Sequence, residues 1–266
     1  MEICAGPLPR FPDMKTSRVA VLWLLVLAGC GDSTSLVDAR YGSAWLGVPY
    51  AEPTELSWQQ GELPLGETPT DRGLLRVPQS YQPGQPAALV VLLHGAGGDA
   101  EGILDLVRTH ADATGTLVLA PKSEGRTWDM LVHDRYGPDL AFLDLSLTRV
   151  FREYSVDPER ITISGFSDGA SYALSVGLTN GHLFRRIAAF SPGGVAASEL
   201  EGKPGVFISH GTLDPVIPID VGGRFITGQL REEDYMVDFR EFEGSHTVPA
   251  EIAREGFTFL VGAAAP

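Results

Sequence analysis

The chain has 266 residues, 44% of them hydrophobic and 20% charged, enough apolar material for one sizeable core and too much for a disordered chain. Thirty-four acidic against 20 basic residues leave a formal net charge of −14. That balance excludes the basic face needed to neutralise nucleic-acid phosphates, and equally a surface drawn to anionic lipid headgroups.

Taken from the amino terminus, the first informative stretch begins at Met14 and reads MKTSRVAVLWLLVLAGC. Lys15 and Arg18 precede an apolar run, Val19 to Leu27, that is too short to span a bilayer comfortably. The run ends in Leu27-Ala28-Gly29-Cys30. This stretch resembles the lipobox of bacterial lipoproteins. The resemblance implies cleavage before Cys30, lipidation of its sulfur and a membrane anchor in the bacterial cell envelope, facing the periplasm or the cell surface. Gly31, not an aspartate, follows the cysteine, which favours the outer membrane. The alternative is an ordinary secretory signal with a chance cysteine. Met14 is then the expected start. The other cysteine, Cys4, would be absent from the mature chain, which would fold without free thiol or disulfide.

Residues 1–29 are thus expected to be a signal region. Residues 30–70, rich in Gly, Ser, Thr, Pro and Glu, read as a lipid-anchored tether and amino-terminal extension that becomes partly packed near Trp58. Residues 71–266 read as one folded domain in which short β-rich runs alternate with helical ones. Leu74 to Val77, Ala88 to Leu93, Thr116 to Ala120, Arg160 to Ser164, Ile187 to Phe190, Val206 to Ser209 and Met236 to Phe242 are predicted strands. Helices are predicted over Asp99 to Ala113, Pro138 to Tyr154, Ser167 to Leu178 and Pro249 to Val261. The second carries Leu140, Leu143, Leu147, Val150, Phe151 and Tyr154 on one face, with Pro138 suited to its first turn. Apolar strands without polar alternation, separated by helices, indicate a mostly parallel sheet covered on both faces. Ligands of such sheets sit at the carboxyl ends of the strands, so the chemistry belongs in the loops that follow them.

Four of those loops carry reactive patterns. After RITIS comes Gly165-Phe166-Ser167-Asp168-Gly169. Its glycines permit a sharp strand-to-helix turn that lifts the Ser167 hydroxyl above the sheet. After ALVVLL comes His94-Gly95-Ala96-Gly97-Gly98, whose glycines let backbone approach a ligand closely. The N–H of Asp168 and that of Ala96, with Gly95 the alternative, are candidate donors to a developing oxyanion. After VFIS comes His210-Gly211-Thr212-Leu213-Asp214-Pro215, and Asp214 is the candidate orienting acid. After the last strand comes Gly244-Ser245-His246-Thr247-Val248-Pro249, and His246 is the candidate base. His94 and His210 read as structural, and His110, His133 and His182 fit the base role less well. Trp128, near Asp129 in the loop after TLVLA, is either a wall of the substrate pocket or a core residue. Phe166 and Met130 are weaker pocket candidates. No metal-ligand spacing such as HxxxH or CxxC is present, and no cofactor fingerprint, so neither metal nor cofactor is expected.

The order serine, aspartate, histidine, each after a strand, resembles the α/β-hydrolase superfamily over about residues 71–266. The segments LVVLLHGAGG, VDPERITISGFSDGASYA, ISHGTLDPVIP and GSHTVP carry the resemblance. They are most similar to small serine esterases of the phospholipase/carboxylesterase and dienelactone-hydrolase-like type. The likeness to polyhydroxybutyrate-depolymerase-like and feruloyl-esterase-like enzymes is nearly as good. The resemblance implies an α/β-hydrolase fold without a large lid and a serine carboxylesterase working through an acyl-enzyme on Ser167. Its alternatives are a polyhydroxyalkanoate depolymerase, a feruloyl or acetyl esterase, an acyltransferase or a peptidase, and last a silent binding protein. Two departures stand out: dienelactone hydrolases carry a cysteine nucleophile, and Asp168 follows the serine where Gln, Asn or Met is common. An Asp168 carboxylate aimed at the site would oppose an oxyanion, so it is expected to point away. Only SPGGVAASELEGKP separates two strands near the site, which leaves little room for a lid and suits short or soluble esters.

Overall fold

The computed structural model describes residues 36–66 and 72–262. The signal region, Cys30 and the start of the expected tether lie outside the described residues. Among the described residues, eight strands form one sheet: β1 (Gly61–Pro64), β2 (Gly73–Val77), β3 (Ala87–Leu93), β4 (Leu117–Pro121), β5 (Val156–Phe166), β6 (Arg186–Phe190), β7 (Gly205–Gly211) and β8 (Val237–Phe242). Their order across the sheet is β1-β2-β4-β3-β5-β6-β7-β8. The first two pairings are antiparallel, β1 with β2 and β2 with β4, and every other pairing is parallel.

The central strands explain why their sequence lacks alternation. In β3, Leu89, Val91 and Leu93 join the core on one face while Val90 and Leu92 join that on the other. Each such buried side chain contributes about 1.5–3 kcal/mol of transfer free energy. On the first face lie α4 (Pro138–Glu153), α5 (Asp168–Thr179) and α6 (Gly223–Glu232), through residues such as Leu143, Leu147, Leu174 and Leu230. On the second lie α1 (Ala100–Asp105), α2 (Arg108–Thr114) and α7 (Ala250–Val261), through Ile103, Ala111 and Phe257. A short helix, α3 (Asp129–His133), follows β4.

The chain leaves β3 for β4 on one side and then crosses back to β5 on the other side of β3. The direction of winding therefore reverses between β3 and β5. A crevice opens at the carboxyl ends of two strands where this happens. The HGAGG loop and the Ser167 turn are the two segments that leave those ends.

Three expectations need correction. The helix expected over Asp99 to Ala113 is two helices. Leu106 and Val107 donate to Ile103 and Leu104, bonds of the tighter 3₁₀ type that re-aim the chain while keeping Leu104, Val107 and Ala111 buried. Helix α6 was not anticipated, since Gly222, Gly223 and Gly228 give it weak local propensity, and packing of Ile226 and Leu230 holds it instead. The amino-terminal extension is already packed at Leu36, the first described residue, and Trp58 is 71% exposed. Ala44, Leu46 and Val48 are buried on alternate positions of an extended segment. Its backbone polar groups are taken by side chains: Leu46 N–H donates to Asn180 Oδ1, Asn180 Nδ2 to Ala44 O, and Val48 N–H to Asp144 Oδ1.

Candidate active site

At the end of β5 the chain turns through Ser167 with φ 56° and ψ −119°, a conformation strained for any residue with a Cβ. The turn is held from behind, because Ser167 N–H donates to Phe190 O at 2.8 Å. It also requires its two glycines. A Cβ on Gly165 would stand 2.3 Å from Gly169 O, and one on Gly169 would stand 2.3 Å from Leu93 O. Strand, turn and helix can close this tightly only without those side chains. Ser167 stands at the amino end of α5 with 7% of its surface exposed.

The loops after β7 and β8 bring the other two side chains to it. Asp214 Oδ1 accepts the N–H groups of Val216 (2.8 Å) and Ile217 (2.9 Å). Its Oδ2 accepts His246 Nδ1–H at 2.6 Å. Burial pushes the Asp214 carboxyl up, but the Ile217 N–H, His246 and the Val216 N–H outweigh it and hold the group below its ordinary value. An ionised carboxylate can only accept, so His246 carries its proton on Nδ1 and offers a bare Nε2. Ser167 Oγ donates to that nitrogen at 2.8 Å. The Phe166 ring lies 4.9 Å from the imidazole and limits its movement.

The HGAGG loop forms a tight turn beside the serine. Gly98 N–H donates to Gly95 O (2.9 Å) and Gly97 N–H to Arg126 O (2.6 Å). Gly95 abuts the nucleophile, since a Cβ there would stand 3.2 Å from Ser167 Cβ. Ala96 and Gly95 line the cavity in front of it. Asp168 opens α5, where a helix leaves its first N–H groups without partners inside the helix. Its carboxylate is hydrogen-bonded: Thr127 Oγ1 donates to Asp168 Oδ2 at 2.7 Å. His94 is buried beneath the loop. Its Nδ1–H donates to Gly95 O (2.7 Å) and its Nε2 accepts Ser123 N–H (3.1 Å). Burial holds this imidazole below its ordinary value and therefore neutral.

A half-open cavity of about 320 Å³ lies against His246 and the HGAGG loop, walled by Ile103 of α1 and Leu106 just past its end, together with Phe166, Thr247 and Val248. Phe166 thus occupies the place expected of it. Trp128 does not. It is 1% exposed, it packs 5.0 Å from the His94 ring and 5.1 Å from that of Tyr172, and its Nε1–H donates to His94 O at 2.9 Å. It braces the HGAGG loop from inside the core and is no wall of the cavity. Met130 is likewise core. Asp129 is buried, accepting from Met130, Gly137, Asp139 and the Tyr172 hydroxyl.

Thr127 and the α1 wall were not legible in the sequence. Reading α1 and α2 as one helix hid which face Ile103 and Leu106 present. A threonine before a tryptophan carries no pattern of its own.

Residues 145–260 match the phospholipase/carboxylesterase family. Feruloyl esterase C of Emericella nidulans is 27% identical over 157 residues, covering 56% of this chain and 57% of the relative. Acyl-protein thioesterase 1 of Saccharomyces cerevisiae is 33% identical over 109 residues, 36% of this chain and 47% of the relative. The chain thus spans a little over half the length of the feruloyl esterase it matches. Among solved structures, esterase PE8 shares the fold with a TM-score of 0.57 at 25% identity, covering 70% of this chain and 97% of that one. A ferulic acid esterase from Anaeromyces mucronatus, at 18% identity, is alike in fold alone, with a TM-score of 0.54 over 72% of this chain and 84% of that one. The family match spans Ser167, Asp214 and His246, and the sheet that delivers them has the α/β-hydrolase fold that these esterases share.

Proposed function

We propose that the protein is a serine carboxylesterase. The observation that carries this is the unbroken hydrogen-bonded chain Ser167 to His246 to Asp214, set beside the HGAGG turn. His246 Nε2 takes the Ser167 proton as Oγ attacks an ester carbonyl, and Asp214 supports the imidazolium that forms. The N–H groups of Asp168 and Ala96 receive the oxyanion, with Gly95 close enough to substitute for Ala96. The imidazolium then gives its proton to the departing alcohol. Water, deprotonated by the same His246, cleaves the acyl-enzyme and restores the serine. Each of these steps is assigned to side chains and backbone.

The cavity suits a compact acyl or aryl group with an apolar face, and its open side suits a soluble ester. The relatives named for feruloyl esters make an aromatic acid the second substrate to try, and Phe166 in the wall supports it. Acyl transfer to another alcohol and peptide hydrolysis use the same triad and are separated by products. The protein is further inferred to sit in the bacterial cell envelope, lipid-anchored through Cys30, on the strength of the sequence from Met14 to Cys30. Loss of radiolabelled palmitate in Cys30→Ala is the expected outcome, and retained label counts against the anchor.

The deciding assay uses p-nitrophenyl esters of increasing acyl length and methyl ferulate, with Ser167→Ala as control. Turnover that falls by roughly 10⁴-fold or more in the variant is expected. Equal, negligible turnover by folded wild type and variant contradicts the esterase reading.

A further inference from the structure

A second histidine touches the acid of the triad. His210, at the end of β7, is fully buried, and its Nε2 lies 3.2 Å from Asp214 Oδ2, the same oxygen that accepts from His246. Its protonation state follows from its neighbours. Gly223 N–H donates to His210 Nδ1 at 3.1 Å, so that nitrogen is bare. The proton is therefore on Nε2, where Ile217 O accepts it at 2.9 Å, with Asp214 Oδ2 at 3.2 Å from the same nitrogen. Burial outweighs its hydrogen bonds and holds the ring below its ordinary value, so it stays neutral beside the carboxylate.

The charged groups around this ring are few. Asp214 and His246 face it from the loops after β7 and β8. Glu241, opposite it in register on β8, is held by Arg224 of α6 at 2.5 Å, and Arg224 also holds Asp220. On the β6 side Ser191 N–H donates to Ser209 O at 2.8 Å, and Pro192 O lies with the His210 ring against Gly222. Nothing else in these contacts competes for Asp214. The carboxylate thus accepts two N–H groups on Oδ1 and His246 on Oδ2, and Oδ2 also lies 3.2 Å from His210 Nε2.

We propose that His210 is a positioning residue of the triad: as a neutral Nε2–H donor it shares Asp214 Oδ2 with His246 and so limits how strongly the carboxylate attracts the proton of His246. A carboxylate with fewer donors is more basic and a stronger partner for an imidazolium. Without His210, His246 holds a proton to higher pH and the enzyme loses its base earlier on acidification. The proposal rests on Ser167 acting through His246.

Two substitutions separate positioning from simple packing. In His210→Gln the amide N–H reaches the place of Nε2 and keeps the donor to Asp214. In His210→Asn the side-chain oxygen takes the place of Nδ1 and keeps the acceptor for Gly223, but no N–H reaches Asp214. The acid limb of the kcat/KM profile for a p-nitrophenyl ester is expected to move up by about 0.5–1 pH unit in His210→Asn. In His210→Gln it is expected to stay within about 0.2 unit of wild type. Coincident limbs in all three proteins, whatever their rates, overturn the proposal and leave His210 a packing residue. If His210→Asn does not fold, nitrogen NMR of the wild type decides. A His210 protonated on Nε2 and bare on Nδ1 at pH 7 supports the proposal, and the opposite tautomer or a charged ring overturns it. A wild type without ester turnover is a different result: it removes the reading of Ser167 and leaves this tautomer measurable.

Discussion

A carboxylate one residue beyond a nucleophile is a liability, because it stands next to the atom on which negative charge develops. Thr127 restrains the Asp168 carboxylate by donating to its Oδ2. A hydrogen bond to a charged group contributes about 1.5–3 kcal/mol. Thr127→Val is therefore expected to lower kcat by roughly ten-fold to a hundred-fold with a small change in KM, as steady-state kinetics on one ester would report. Unchanged kcat would mean that the carboxylate needs no restraint. The triad itself was legible residue by residue, since Ser167, Asp214 and His246 each follow a predicted strand and stand beside glycines or a proline that mark the strand end. What could not be read was direction. Trp128 lies at the right point of the chain for a pocket wall, but burial between His94 and Tyr172 turns it inward.

Between elements, the extended segment from Ala44 to Val48 has no strand partner among the described residues and depends on side chains for its hydrogen bonds. Asn180, just past α5, supplies two of them and also donates to Val176 O. Asn180→Ala strands Leu46 N–H and Ala44 O in a buried place, each at about 1–3 kcal/mol. A loss of about 2–5 kcal/mol in urea unfolding is expected, with the ester kinetics of the remaining folded protein near wild type. A loss under 1 kcal/mol would show that water replaces the amide there. Strands and long helices were legible because burial on two faces, or on one face of a helix, writes a period into the sequence. The segment from Ala44 to Val48 alternates equally well, but its low-complexity neighbours concealed it. Helix α6 was hidden for the opposite reason, since its glycines suppress the helical signal that Ile226 and Leu230 restore by packing.

For the molecule as a whole, the two buried histidines set a pH dependence of stability. Both His94 and His210 are held by burial below the ordinary value of 6.5, whereas in the unfolded chain they take up protons near it. Below about pH 6.5 the unfolded state binds more protons than the native one, so stability falls as pH falls. Two such protons give a slope of at most about 2.7 kcal/mol per pH unit. Chemical denaturation at pH 7.5, 6.5 and 5.5 is expected to show stability flat across the upper interval and declining across the lower. A His94→Gln, His210→Gln double variant is expected to flatten the decline, and an equally steep decline in that variant would assign it to other groups. The reversal of winding between β3 and β5 accounts for the place of the site: one sheet brings the HGAGG turn and the serine together, and the loops after β7 and β8 reach over to meet them.

The central claim is that Ser167 is made nucleophilic by His246. Intact-protein mass spectrometry after treatment with a fluorophosphonate probe tests it most directly. One adduct, mapped to Ser167, is expected in the wild type, with labelling slowed by orders of magnitude in His246→Ala and absent in Ser167→Ala. No adduct on a folded wild type, or equal labelling of wild type and His246→Ala, would contradict it.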